Sequence, residues 1–232
     1  MRRFVHLLAL LGKVILALFV LSILWVLVLK WVRPVATPLM LIRAKELRED
    51  GIKPTIDYRW VPYSEISPEL AKAVVASEDN LFFDHDGFDR KAIRQAIEES
   101  KAGGRRRGAS TISQQTAKNV FCIPSKTYAR KAVEAYFTIL IEKIWGKERI
   151  MEVYLNVIEM GKGIYGAEAA AQRHFGHSAS TLSRRESAII AATLPNPLQR
   201  NASSPGPYTR SRATTISTLI PKLRYPAWIS HK

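Results

Sequence analysis

The segment GASTISQQTAKN, residues 108–119, predicts how the middle of the chain folds. Thr111 is followed three residues later by Gln114, the spacing of a capping box, so a helix should begin here. At helical spacing Thr111, Gln115 and Lys118 share one face. Hydroxyl, amide and ammonium groups beside the free N–H groups of a helix start can bind an anion. A well-capped surface helix explains the same pattern, and the arginines at 105–107 before it can equally be solvated loop residues.

The segments on both sides of this helix are also predicted to be helical. Ser67 followed by Pro68 marks a helix start, and that helix runs into Glu78. Strand signals are sparse, and no internal repeat or low-complexity segment occurs. Apolar residues recur at helical spacing in the segments 91–99, 131–145, 147–158, 166–174 and 183–194. We therefore predict a mainly α fold.

The N-terminus is almost unbroken apolar sequence from Phe4 to Val32, with Lys13 and Lys30 as its only charges. It exceeds the roughly 20 residues that a bilayer crossing needs and lacks a good cleavage site for a signal peptidase. Basic residues flank both ends, so charge alone does not fix its orientation. We predict a cytoplasmic N-terminus (1–13), a transmembrane signal anchor (14–32), a juxtamembrane segment (33–59), an exported soluble domain (60–205) and a basic C-terminal segment (206–232).

The composition is strongly basic. The 232 residues include 35 Lys and Arg against 20 Asp and Glu, a formal charge of +15. Such a balance indicates an anionic partner, which can be nucleic acid, a lipid surface or a phosphate-bearing substrate, although a solvated basic surface has the same composition. The single cysteine, Cys122, excludes an internal disulfide framework and is expected to be a buried, inert thiol.

Residues 76–89, ASEDNLFFDHDGFD, gather five acids and a histidine around three phenylalanines. A calcium loop is not indicated, because the glycine comes too early and the closing glutamate is missing. A structural zinc site is not indicated at His174 and His177 either, because the two histidines have no cysteine partners. Gly161–Gly166 matches G-x-G-x-x-G, but a helix precedes it, so we reject a dinucleotide site and predict a tight turn in a cleft wall.

A third candidate site lies on the helix 131–145. Arg130 and Lys131 precede Glu134 by four and three residues, the spacing of intrahelical ion pairs, which contribute little on a surface. The apolar residues Val133, Phe137, Leu140, Ile141 and Ile144 predict that the helix is largely buried, so a carboxylate held among cations at the edge of the core can act electrostatically.

These segments together resemble a known family, the peptidoglycan glycosyltransferases (family 51). Five ordered motifs carry the resemblance over about residues 60–205: Glu78, Asp79, Phe82, His85 and Gly87 in the first; Gly108, Ser110, Thr111, Gln114, Gln115, Lys118 and Asn119 in the second; Arg130, Lys131 and Glu134 in the third; Tyr154, Leu155, Asn156, Gly161, Gly163 and Gly166 in the fourth; Glu186, Ala188, Leu194, Pro195 and Pro197 in the fifth. The fifth is approximate, because Pro197 follows Pro195 too closely.

The resemblance implies a lysozyme-like domain that polymerises lipid II into β-1,4 glycan strands by inverting transfer, with undecaprenyl diphosphate as leaving group. Glu78 matches the catalytic base, and burial beside Phe82 and Phe83 would raise its pKa. Glu134 matches a second catalytic glutamate that stabilises the leaving group. Whether a divalent cation (Mg²⁺ or Mn²⁺) binds through Glu134 is left open. Asp79, Phe82 and His85 are expected to orient the site. The substrate-binding residues implied are Ser110, Thr111, Gln114, Gln115, Lys118, Asn119, Lys126, Arg130 and Lys131.

The anchor agrees with a substrate that stays in the bilayer. The implied location is the outer face of a bacterial inner membrane, with a periplasmic catalytic domain acting in cell-wall biogenesis and cell shape. The expected partners are lipid II, the growing glycan chain, phospholipid and other cell-wall synthesis or divisome proteins, and no nucleic acid. No S-x-x-K motif occurs, so we expect no transpeptidase activity. The alternatives are a lysozyme-like lytic enzyme and a membrane-anchored basic binding protein without catalysis.

Overall fold

The computed structural model describes residues 2–49, 51, 56–103, 109–125 and 127–230. The described residues form ten α-helices and three short strands, so the predicted mainly α fold is confirmed. The helices are α1 (Arg2–Leu29), α2 (Pro38–Glu49), α3 (Pro68–Glu78), α4 (Arg90–Lys101), α5 (Ile112–Phe121), α6 (Tyr128–Ile144), α7 (Lys147–Val157), α8 (Ala167–Phe175), α9 (Arg184–Thr193) and α10 (Pro207–Leu219); the strands are β1 (Asp57–Tyr58), β2 (Glu159–Gly161) and β3 (Ile164–Tyr165).

Local capping residues set the starts of the site helices. At α3 the Ser67 hydroxyl accepts a hydrogen bond from the Glu69 N–H at 3.4 Å, and Pro68 occupies the first helical position. At α5 Thr111 and Gln114 form both bonds of a capping box. Both predicted helix starts are confirmed.

The three strands form one small sheet in the order β1–β3–β2. β1 is parallel to β3, and β2 is antiparallel to it, so residues 159–165 form a hairpin and the predicted turn is confirmed. The chain leaves the hairpin at Gly166, whose φ is +84° and where an added Cβ would lie 2.3 Å from the Asn156 carbonyl oxygen. Only glycine fits this close approach of two backbones.

The main core lies between α5, α6 and α7. The ring of Phe121 stacks on that of Phe137 with centroids 4.4 Å apart, and Ile141, Met151 and Tyr154 are fully buried. A second cluster joins α3, α9 and α10 through small side chains, among them Ala73, Ala188, Ala191, Ala192 and Ala213. Small residues let these three helices approach closely, so α10, in the segment 206–232, packs onto the helix that ends at Glu78.

Helix α1 divides into an exposed part and a docked end. All of residues 3–21 are exposed, and residues 3–29 form the one helix of the described chain that is long and apolar enough to cross a membrane. Near its end, Trp25 packs edge-on against Phe121 at 5.1 Å. The indole N–H of Trp145 donates to the Val26 carbonyl at 2.7 Å, and Arg149 donates to that of Leu29 at 2.9 Å. These donors satisfy carbonyl groups that a helix end leaves unpaired.

Helix α2 lies in the juxtamembrane segment, where the sequence analysis placed no helix. The Thr37 hydroxyl accepts a hydrogen bond from the Met40 N–H at 3.3 Å, and Pro38 begins the helix. Met40 is fully buried and Leu47 nearly so, and α2 packs against α5. Burial against α5 therefore places this helix beside the site.

Candidate active site

Glu78 is the last residue of α3 and is partly buried. Its two carboxylate oxygens accept hydrogen bonds from the Ser77 hydroxyl and from the Gln115 side-chain amide, both at 3.1 Å. Burial raises the pKa of Glu78, while the bonds from Gln115 and Ser77 and the charge of Arg212 act in the opposite direction. The pKa is raised in the predicted direction, which makes this carboxylate a stronger proton acceptor than an exposed glutamate.

Gln115 is held in one orientation by its neighbours. The hydroxyl of the fully buried Tyr154 donates to the Gln115 side-chain carbonyl at 3.2 Å. Burial raises the pKa of Tyr154 well above its usual value, so this hydroxyl stays a donor. The Gln115 amide nitrogen is thereby directed at Glu78.

Asp79 and His85 join the first motif to the start of α5. The buried Asp79 carboxylate accepts from the Ile112 backbone N–H and from His85 Nε2, both at 3.0 Å. The Gly87 N–H donates to His85 Nδ1 at 3.1 Å, which assigns the ring proton to Nε2. The Thr111 hydroxyl donates to the Gly87 carbonyl at 2.7 Å. These bonds hold the loop after Glu78 against the helix that carries Gln115.

The phenylalanines of this loop pack on other aromatic rings. Phe82 is fully buried and contacts Phe83 with centroids 5.1 Å apart, and the Lys147 ammonium lies 4.6 Å from the Phe82 ring. Phe83 in turn packs edge-on against Trp228 at 5.8 Å. The two rings thus support the loop from the core side.

The first cavity has a volume of about 510 Å³ and is lined by cations of two motifs. Lys118 extends from α5 and Arg130 from α6, and Gln115 and Asn119 of α5 also line the cavity. Loss of hydration lowers the pKa of Lys118, Glu134 opposes this shift, and the nearby Arg130 and Lys131 add to it. Lys118 forms no salt bridge within the described residues, whereas Arg130 and Lys131 are both paired with Glu134, so Lys118 is the cation of this cavity best placed to take an anionic ligand.

The second cavity, of about 300 Å³, is lined by Glu78, Ser110 and Thr111. Glu78 and Lys118 therefore line different cavities. Gln115 forms the junction between their lining residues, because it lines the first cavity and donates a hydrogen bond to Glu78, which lines the second.

Glu134 is 2 % exposed and lies between two cations. Arg130 Nη1 is 2.5 Å from one carboxylate oxygen, and the Lys131 ammonium contacts the other. Both oxygens are thus occupied, and no group of three or more His, Cys, Asp or Glu among the described residues could hold a metal ion. This donor set does not fit a resident divalent cation, and we derive no step through one.

Three predicted substrate-binding residues remain, which are Gln114, Asn119 and Lys126. Gln114 is buried, and its carbonyl accepts from the Thr111 N–H at 3.1 Å. The Asn119 side-chain amide donates to the Gln115 backbone carbonyl at 2.7 Å. The buried Oδ1 of Asn119 has no hydrogen-bond partner within the described residues. Lys126 and the arginines at 105–107 lie outside the described residues.

Side chains of the fourth and fifth motifs brace the backbone and line the first cavity. The Asn156 side chain accepts from the Val61 N–H at 3.0 Å and donates to the Val61 carbonyl at 2.9 Å. Glu186 completes the capping box of α9. Leu194, Pro195 and Pro197 line the first cavity as an apolar wall.

Two arginines beside the site were missed by the sequence analysis. Arg43 of α2 lines the first cavity, and Arg212 of α10 donates to the Ser77 carbonyl at 3.2 Å, one residue before Glu78. A signal existed for the first: Leu39 and Arg43 stand four apart after a helix-starting proline, and both line the cavity. No local pattern marked Arg212.

The family described as transglycosylase matches residues 49–220 of this sequence. The chain belongs to the transglycosylase family. The resemblance drawn from the five motifs is thereby confirmed, and the chain is an enzyme with a lysozyme-like glycosyltransferase domain.

Several relatives cover most of the chain. A protein of Bacteroides thetaiotaomicron is 51 % identical over 207 residues, 88 % of this chain and 84 % of its own length. One of Caulobacter vibrioides is 49 % identical over 220 residues, 93 % of both chains. One of Rhodospirillum centenum is 54 % identical over 187 residues, 81 % of this chain and 79 % of its own. Each of the three is named biosynthetic peptidoglycan transglycosylase.

Proposed function

We propose that this transglycosylase polymerises lipid II into linear β-1,4 peptidoglycan strands and releases undecaprenyl diphosphate. The observation that carries the proposal is the junction at Gln115, where a carboxylate of raised pKa meets a cavity lined by cations. The names of the relatives support peptidoglycan as the product.

The acceptor sugar is activated by Glu78. The 4-hydroxyl oxygen of the acceptor attacks the anomeric carbon of the donor, and its proton passes to the Glu78 carboxylate, which later gives it to water. A carboxylate whose pKa is raised by burial is a stronger base than an exposed glutamate. The bonds from Ser77 and Gln115 fix the direction of the carboxylate.

The leaving diphosphate is stabilised by cations of the first cavity. The bond between the anomeric carbon and the phosphate oxygen breaks, and the diphosphate leaves with the electron pair. Lys118 and Arg130 lie where this charge develops, and Glu134 fixes Arg130 by an ion pair. A single displacement of this kind inverts the anomeric centre, which turns an α-linked donor into a β link.

The bilayer brings enzyme and substrate together. We propose that α1 spans the inner membrane, because it is apolar, exposed over residues 3–21 and docked to the domain by Val26 and Leu29. We propose the periplasmic face for the domain because peptidoglycan, which the names of the relatives give as the product, lies outside that membrane. The docked end holds the domain close to the membrane surface. Arginine and lysine facing anionic lipids would add to this attachment.

The experiment is polymerisation of fluorescent lipid II by the purified full-length protein in detergent micelles. We expect long glycan strands that lysozyme digests, and release of undecaprenyl diphosphate. Absence of strands, with cleavage of preformed strands instead, would favour the lytic enzyme. Absence of both reactions would favour a binding protein. Addition of a chelator tests separately whether a divalent cation takes part.

A further inference from the structure

Arg43 is a cation of the first cavity that no motif accounts for. It extends from α2, whereas Lys118 and Arg130 of the same cavity extend from α5 and α6. Helix α2 is fixed by the buried Met40 and by its packing on α5, so the position of Arg43 belongs to the fold.

The guanidinium of Arg43 is incompletely paired. Its Nη1 donates to Glu46 at 2.6 Å, but Nε is 3.6 Å from Glu159, beyond hydrogen-bond distance. This Nε is buried and has no hydrogen-bond partner within the described residues. Leaving a buried charged donor unpaired costs free energy, which an incoming acceptor would recover.

The cavity also has an apolar side. Leu39, Ile158, Leu194, Pro195 and Pro197 line it together with the cations. Among the described lining residues the cations are Arg43, Lys118 and Arg130, and the one carboxylate is Glu159. A cavity whose lining has three cations and one carboxylate beside an apolar wall suits an amphipathic anion, which is a phosphate group joined to a hydrocarbon chain.

We propose that Arg43 binds the diphosphate of the lipid-linked substrate, so that the helix after the membrane anchor supplies part of the substrate site. The guanidinium turns from Glu159 toward phosphate oxygens, for which its planar fork is well suited. Leu39, one turn earlier on α2, lies against the first isoprene units. The identity of the ligand rests on the proposed function, while the placement of Arg43 in the cavity does not.

The test is calorimetric titration of full-length protein in neutral detergent with farnesyl diphosphate. We expect Arg43→Ala to weaken binding about tenfold, the scale of a charge-assisted hydrogen bond, and Arg43→Lys to weaken it less. The matched control is Arg48→Ala, which removes a charge from the exposed face of the same helix and should leave affinity unchanged. The Michaelis constant for lipid II should rise with Arg43→Ala more than kcat falls.

A second variant separates binding from folding. Arg43→Ala leaves the buried Glu159 without its nearest cation, so the double variant Arg43→Ala/Glu159→Gln removes that unpaired charge. The double variant should unfold at the wild-type temperature and still bind farnesyl diphosphate about tenfold more weakly. Recovery of wild-type affinity in the double variant would overturn the proposal.

A third arm distinguishes the substrate diphosphate from a phospholipid headgroup. Flotation with phosphatidylglycerol vesicles should be the same for Arg43→Ala and Arg48→Ala. If Arg43→Ala reduces vesicle binding and leaves farnesyl diphosphate affinity unchanged, Arg43 contacts lipid and the proposal is wrong. If wild-type protein binds farnesyl diphosphate through Arg43 but makes no strands, the proposed function fails and the diphosphate site stands.

Discussion

The Gln115 side-chain amide donates a hydrogen bond of 3.1 Å to the Glu78 carboxylate, and Tyr154 holds the other end of that amide. This contact joins the second motif to the first, and it links a residue that lines the first cavity to one that lines the second. The Glu78 carboxylate is therefore linked to the cation-lined cavity through one side chain.

Replacing Gln115 should change the pH profile of polymerisation. The bond from Gln115 lowers the pKa of Glu78 against the opposing effect of burial, so Gln115→Ala should raise that pKa further. A general base must be ionised, so the acid limb of the kcat profile should move to higher pH. We expect a loss of about tenfold in kcat at neutral pH and a smaller loss at high pH. An unchanged acid limb would contradict this role.

Replacing Arg212 should also shift the acid limb of the pH profile of kcat. Its positive charge lowers the pKa of Glu78, and it donates to the carbonyl of Ser77. Arg212→Gln should therefore shift the acid limb to higher pH, while Arg210→Gln, at an exposed position on the same helix, should not. Equal shifts in the two variants would show that only the net charge of α10 matters.

Replacing Lys118 should weaken the use of lipid II, because its ammonium is expected to bind the substrate diphosphate. Lys118→Met keeps the apolar stem and removes the ammonium from the first cavity. We expect kcat/KM for lipid II to fall by at least about tenfold, because charge-assisted bonds to phosphate are among the stronger ones. Lys143→Met, an exposed position on α6, is the control and should keep wild-type kinetics. Equal activity of the two variants would exclude an anion site at Lys118.

Gly166 should be essential to the fold. An added Cβ would lie 2.3 Å from the backbone oxygen of Asn156, which cannot move away without disturbing α7. Gly166→Ala should lower the free energy of unfolding by at least about 3 kcal/mol. Gly176→Ala is the control, because Gly176 also has positive φ but meets nothing within 4 Å, and it should cost only about 1 kcal/mol. Thermal unfolding in micelles compares them, and equal melting temperatures would contradict the steric argument.

Much of the helical framework could be predicted because its signals are local. Ser67 with Pro68 and Thr111 with Gln114 satisfy helix ends within a few residues, and the structure shows both. Helix α2 was missed because burial of Met40 and Leu47 against the domain stabilises it, and no sequence pattern within 33–59 reports that burial.

The candidate site was predicted in part. Glu78 and Lys118 were placed by motifs, but the sequence did not show that they line separate cavities joined by Gln115. Arg43 and Arg212 come from helices far from the motifs along the chain, and only the packing of α2 and α10 brings them to the site. Contacts of that kind depend on the complete fold.

The central claim is that the Glu78 carboxylate takes the proton of the attacking sugar hydroxyl. The most direct measurement is the initial rate of lipid II polymerisation by Glu78→Gln, compared with the rate of the wild-type protein. Folding, micelle association and farnesyl diphosphate affinity are measured for both proteins as controls and should be equal. We predict that the rate falls by at least about a hundredfold, the contribution of a general base, while the binding of farnesyl diphosphate is kept. A wild-type rate in this variant would contradict the account.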